Sequence, residues 1–377
     1  MRDWSGLGAP LKLISRLIIL TSLLVLAGCA TFYGDKQSDK SAKITTEDLL
    51  SGRELFGAEA VSLTLPEDGV LEMSPEMRAF LDQKVPLIQS DYVTIRSILT
   101  SVVGSGGLNM DYNKSVTYTA REAFRKAEGN CLGFSYLIAL MARERGLRAT
   151  FQEVEIPPDW TPVDDRLIYA NRHVNVRITS NEMKTTVVDI DRVNVKPYYK
   201  TELIGDQEAE GHYYSNLGAE YLDQGDMKNA FRYFAKAIRL APGNSQFWSN
   251  LGVFYRLNEK YNYAERAYFI ALARKRDNYS ALNNLHILYD LMGEPEKAAY
   301  FEKVARDYQM KNPYYRYYMA KEAYEEGNYD VALSHLREII NRKIQEPRFY
   351  TLMADTYAAL GEEEKAAETL EKKQQIR

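Results

Sequence analysis

Few residues in this 377-residue chain can do nucleophilic or metal chemistry: two cysteines, Cys29 and Cys131, and four histidines, His173, His212, His286 and His335. No cysteine or histidine keeps metal-ligand spacing with another, so neither a metal site nor a cofactor is expected. Cys131 follows Glu128-Gly129-Asn130 and opens an almost unbroken apolar run that closes on Arg145-Gly146-Leu147. The run reads as a buried helix with a thiol in its first turn and Gly146 as its left-handed cap. At a helix N-terminus the macrodipole and the free backbone N–H groups favour thiolate over thiol, so the position suits a nucleophile. The competing reading is a small residue filling a core.

His173 opens an alternating stretch, His173-Val174-Asn175-Val176-Arg177-Ile178-Thr179, in which His173 and Asn175 lie opposite Val174, Val176 and Ile178. A second alternating stretch, 186–193, carries Asp189 and Asp191 on one face. Ser180-Asn181-Glu182 between them is good turn chemistry, so the two predict an antiparallel hairpin with the histidine beside the aspartates. Thiol, imidazole and carboxylate in that order can form a triad. The sulfur attacks a carbonyl carbon, the ring carries the proton, and the carboxylate fixes the ring's tautomer. The other three histidines lie further on, in a repetitive region, so a base for Cys131 within its own domain has to be His173. Asp189 stands ahead of Asp191 as the third member. Asn175 is either a polar group on the strand surface or a further contact of the site.

The elements that must position these groups announce themselves by their caps. Thr46 opens a short helix to about Phe56, Ser74-Pro75-Glu76 opens a second, Ser90-Asp91 a third, and Thr119-Ala120-Arg121-Glu122 is a capping box for a fourth. The third ends in Gly104-Ser105-Gly106-Gly107. Residues 149–156 alternate as a strand. Together these predict one domain over 44–200. Thr119 through Phe124, then Gly129-Asn130-Cys131 and its apolar helix, then His173 and Asp189, resemble the bacterial transglutaminase-like (papain-like) core over about 112–193. The resemblance implies an α+β fold, a helix on an antiparallel sheet, and acyl transfer by Cys131, His173 and Asp189, as hydrolysis of an amide or as transamidation. Asn175 stands where that family often has an aromatic residue, and Ile190-Asp191 where it often has Pro-Thr.

The N-terminus reads as an address. Arg2, Lys12 and Arg16 precede an apolar run, Leu17 to Leu26, too short to span a bilayer, which ends in Leu26-Ala27-Gly28-Cys29. This resembles a bacterial lipobox. The resemblance implies a signal peptide over 1–28, acylation of Cys29, and a membrane anchor of lipid, while Ala30 points to the outer membrane facing the periplasm. Cys131 would then be a lone thiol in an oxidising compartment of the cell envelope. Residues 29–43 are polar and aperiodic and predict a flexible tether.

Past an aperiodic junction at 201–210 the chain repeats every 34 residues, over 211–244, 245–278, 279–312, 313–346 and 347–377. Small residues recur at the eighth and twentieth positions, as in Gly218 and Ala230 or Gly252 and Ala264, and large ones at the fourth, eleventh and twenty-fourth, as in Trp248, Tyr221 and Tyr268. Gly225, Gly293, Gly327 and Gly361 recur at the turn. The pattern resembles the tetratricopeptide repeat (TPR) and implies an all-α solenoid that docks a protein or peptide partner. Asn216, Asn250 and Asn284 share the sixth position, where a row of amides could hold a peptide backbone, although asparagine is simply common there. Tyr314, Tyr317 and Tyr324 are read either as a docking patch or as helix packing, and His286 as packing. The charge balance, 48 basic against 52 acidic residues, disfavours nucleic acid as a partner. Two readings emerge: an envelope enzyme with a docking module, or an inactive scaffold that works through its repeats.

Overall fold

A computed structural model describes residues 33–87, 90–156, 172–181, 183–191, 195–196, 199–342, 344 and 346–376. The expected signal peptide and Cys29 lie outside the described residues. The chain divides into two compact units, Met1–Val61 with Gly243–Tyr300, and Ser62–Pro242 with Phe301–Arg377.

The described N-terminal stretch belongs to the first unit. A 3-10 turn, Gly34–Lys36, leads into α1 (Asp39–Ala42), α2 (Thr46–Ser51) and α3 (Arg53–Phe56). Ser38 caps α1, and Thr45 forms a reciprocal capping box with Asp48, one residue ahead of the expected Thr46. Residues 33–43 therefore depart from the tether expected of them, and Tyr33 and Ser41 are buried. The physical reason is a carboxylate far along the chain. Glu265, fully buried, accepts hydrogen bonds from the backbone N–H and the hydroxyl of Ser38 and from the Tyr289 hydroxyl. The Tyr289 hydroxyl also meets the Lys36 carbonyl, Arg266 donates to the Ile44 carbonyl, and the Tyr255 hydroxyl donates to the Leu49 carbonyl. Polar side chains of the repeats thus satisfy a backbone whose own sequence carries no periodicity.

The second unit opens with α4 (Pro75–Lys84) and α5 (Asp91–Val103), capped by the Ser74 and Ser90 hydroxyls as their sequences predict. β1 (Asp111–Tyr112) follows. Then come α6 (Ala120–Lys126), with the Thr119–Glu122 box at its head, β2 (Glu128–Gly129), and α7 (Cys131–Glu144). Gly146, at φ 78°, turns the chain out of α7. β3 (Arg148–Glu155), β4 (Arg172–Thr179), β5 (Thr185–Val188) and β6 (Thr201–Ile204) form an antiparallel sheet in the order β5-β4-β3-β6. α7, apolar on nearly every side, packs on β3 and β4. This is a helix on an antiparallel sheet. The span 201–210 is a strand and the start of a helix, not a junction. Only Ile204 of β6 is buried while Leu203 is half exposed, so the strand leaves little pattern to read.

The helices of the repeats are α8 (Asp206–Asp223) and α9 (Met227–Leu240) in the second unit, then α10 (Ser245–Leu257), α11 (Tyr261–Arg274), α12 (Tyr279–Leu291), α13 (Pro295–Gln309), α14 (Pro313–Glu325), α15 (Tyr329–Ile340), α16 (Pro347–Ala359) and α17 (Glu363–Gln374). α10, α12, α14 and α16 begin at the expected repeat starts. The partners α8 and α9, α10 and α11, α14 and α15, and α16 and α17 pack together. The small eighth residues are needed for this approach, since a Cβ on Gly218 would sit 2.8 Å from Cδ1 of Phe234, and one on Gly252 would overlap the Tyr268 ring. Tyr314, Tyr317 and Tyr324 pack against the cluster of Leu333, Leu336, Ile339 and Phe349, so they serve helix packing.

Candidate active site

Cys131 owes its place to a short parallel ladder. β1 pairs with β2, Tyr112 opposite Gly129, and the N–H groups of Asp111 and Asn113 donate to the Ala127 and Gly129 carbonyls at 2.9 and 3.0 Å. A Cβ on Gly129 would lie 2.8 Å from the Met110 methyl, which would have to shift to make room. Asn130 then caps α7, its side-chain oxygen accepting from the N–H groups of Leu132 and Gly133 at 2.9 and 3.1 Å. Cys131 is the first residue of the helix, with its side chain part exposed. One turn on, the Ser135 hydroxyl donates to the Val174 carbonyl at 3.0 Å and holds α7 against β4 next to His173.

His173 is buried in β4, opposite Val154 of β3. Its Nε2 lies 2.8 and 2.9 Å from the two oxygens of Asp189, which follows the end of β5. Cys131 is near enough to the ring for its hydrogen-bonding capacity and charge to raise the His173 pKa. Asp189 also accepts from the Asn175 side-chain amide and from the Asp191 N–H, each at 2.8 Å. The structure thus brings Cys131, His173 and Asp189 together, with Asp189 and not Asp191 on the ring. Asn175 is a contact of this carboxylate rather than a strand-surface group.

Burial opposes a charge on His173. Hydrogen bonding to Asp189 and Cys131, and then their charges, outweigh it and lift the ring's pKa to about 10. Burial likewise opposes ionisation of Asp189, but the His173 hydrogen bond and charge, with Asn175 and the Asp191 N–H, hold its pKa below the ordinary carboxylate range. An imidazole between a sulfur and a carboxylate is the arrangement that takes a thiol's proton, is held as imidazolium by the carboxylate, and later gives that proton to a leaving group.

One neighbour escapes sequence reasoning. Tyr112 is half exposed, and burial followed by the negative charges of Cys131, Asp191 and Asp189 raises its phenol to about 12. The only signal was its place in a two-residue strand, too short to show periodicity. Among the described residues no group of three or more His, Cys, Asp or Glu is gathered as a metal would require.

The asparagines read as a peptide-binding row are placed differently from one another. Asn284 is buried and donates to the Ser280 carbonyl of its own helix at 2.8 Å. Asn250 accepts from Gln246 at 2.9 Å. Asn216, in the other unit, is exposed. His286 meets the Ala298 carbonyl at 3.2 Å, a packing contact between paired helices.

Models of the tetratricopeptide repeat match residues 211–244 and 347–375. The chain is 34% identical over 64 residues to an uncharacterized protein of Methanocaldococcus jannaschii, a stretch that is 17% of this chain and 74% of that protein, and there it shares that protein's family. Three solved structures are similar. One is YrrB, described as a TPR protein with an unusual peptide-binding site (21% identity, 46% of this chain, 88% of that one, TM-score 0.25). Another is PilF of Pseudomonas aeruginosa (18%, 45%, 78%, TM-score 0.27). The third is a tetratricopeptide repeat protein of Parabacteroides merdae (22%, 46%, 80%, TM-score 0.24). The C-terminal region of this chain is built of tetratricopeptide repeats, a scaffold for interaction with protein partners.

Proposed function

We propose that the protein is a cysteine acyl-transfer enzyme of the transglutaminase-like class, anchored by lipid at Cys29 in the cell envelope, whose repeats dock the protein or peptide on which it acts. One observation carries the catalytic half: a buried histidine bonded to a carboxylate, with a thiol at a helix N-terminus close enough to act on the same ring. His173 holds the proton of the thiol as an imidazolium, which leaves the sulfur as the attacking thiolate. The sulfur adds to an amide carbonyl, and the ring returns the proton to the departing amine, leaving an acyl group on Cys131. Water hydrolyses it, or an amine takes it up in transamidation.

The test uses p-nitrophenyl acetate as a generic acyl donor. Wild type should release p-nitrophenolate in a burst and gain an acetyl group on Cys131, read by intact mass. Cys131→Ala should do neither while keeping its circular dichroism and melting temperature. Equal release by the two proteins, with no adduct on Cys131, overturns the catalytic reading. The anchor is tested separately: Cys29→Ser should move the protein from the membrane to the soluble fraction and remove the acyl mass. A second reading, an inactive scaffold acting through the repeats, draws on the repeat models matching only within 211–375. It predicts no adduct on Cys131 and partner binding unchanged in Cys131→Ala.

A further inference from the structure

Addition of a thiolate to a carbonyl moves an electron pair onto oxygen, and the resulting oxyanion needs hydrogen-bond donors that point where the charge develops. The first turn of a helix ordinarily offers several free N–H groups. Here Asn130 has already taken two of them, those of Leu132 and Gly133. Within that first turn, the amide of Cys131 itself is not bound by the cap. A second donor has to come from outside the helix.

The β1–β2 ladder supplies a position for it. It sets Tyr112 opposite Gly129, two residues before the nucleophile, on a strand held at both ends by the Asp111 and Asn113 N–H groups. Tyr112 is half exposed. Its phenol also lies within electrostatic reach of Cys131, Asp191 and Asp189. Resting on the acyl-transfer reading above, we infer that Tyr112 is a further catalytic residue, whose phenolic O–H donates a hydrogen bond to the oxyanion formed when Cys131 adds to the acyl carbon. Tyr112 itself gives up no proton. As the S–C bond forms, the C=O pair moves to oxygen and is held by Tyr112 and the Cys131 N–H. As it returns, the bond to the leaving group breaks, and an amine leaves with the proton of His173. A phenol whose pKa is raised keeps its proton throughout the range in which His173 is charged, so the donor does not fail before the base does.

Two reagents that attack the same sulfur separate this role from a structural one. p-Nitrophenyl acetate acylates through a tetrahedral oxyanion, whereas iodoacetamide alkylates by direct displacement and forms none. Tyr112→Phe should slow acylation on the order of 10²-fold while alkylation of Cys131 stays within about twofold of wild type. Acylation at the wild-type rate in Tyr112→Phe overturns the inference. So does an equal fall with both reagents, which marks a positioning role. If wild type is alkylated but never acylated, the acyl-transfer reading fails first and takes this role with it. If wild type is acylated and Tyr112→Phe matches it, that reading stands and only the tyrosine is wrong.

Discussion

The His173–Asp189 pair sets the pH range in which this site is charged. His173 is raised to about 10 from an ordinary value of 6.5, so the stability it contributes is fully present below the ordinary value and is lost as pH rises through about 10. Asp189 is lowered, so its contribution is present above the ordinary value of 3.8 and is lost as pH falls through its depressed pKa. The two windows overlap across neutrality. Acylation of Cys131 should therefore fall on a basic limb near pH 10, and Asp189→Asn should move that limb to lower pH, measured as burst rate against pH. An unmoved limb would detach the carboxylate from the ring. At this scale most of the site was legible. Cys131 was marked by its helix start and His173 by elimination, but the choice of Asp189 over Asp191 depended on where β5 stops, and alternation does not show that. Asn175 was readable only as a polar group on the histidine's face; its bond to Asp189 needed the strand register. Tyr112 was invisible because a two-residue parallel strand leaves no pattern.

Caps and tight contacts rule at the scale of elements. Ser74, Ser90 and Thr119 were readable because a capping residue acts locally, on amides two or three positions ahead, and the repeat starts at 245, 279, 313 and 347 because small and large residues recur every 34 positions. β6 was not, because its partner β3 is remote in sequence and only one of its side chains is buried. The close approach of paired repeat helices is also open to test. Gly252→Ala puts a methyl into the Tyr268 ring, which is fully buried and has no room to yield. The substitution should destabilise the first unit by about 1–3 kcal/mol, read as a lower urea midpoint. An unchanged midpoint would show that α10 and α11 separate at little cost.

On the scale of the whole molecule, neither unit is continuous in sequence, and no local pattern reveals that. Residues 33–54 read as a polar lead-in and a short helix, yet they lie along repeat helices, held by Glu265, Tyr289, Arg266, Tyr255 and a Lys260–Glu54 ion pair at 3.1 Å. Glu265→Ala removes the acceptor for three donors. Each donor left buried without a partner costs about 1–3 kcal/mol, so the segment should detach first. Trypsin should then cut at Lys36, Lys40 or Lys43 faster than in wild type while the rest of the chain resists. Unchanged cleavage would mean that the carboxylate is not what retains the segment.

Ser38 and Glu265 are 227 residues apart, so this attachment cannot form until most of the polypeptide has left the ribosome. Closing so long a loop is a late, non-local event in folding. Throughout that interval the N-terminal stretch has nothing of its own to lie against. The modification proposed at Cys29 would therefore meet an open substrate during synthesis and export, and the repeats would take up the adjoining residues only afterwards.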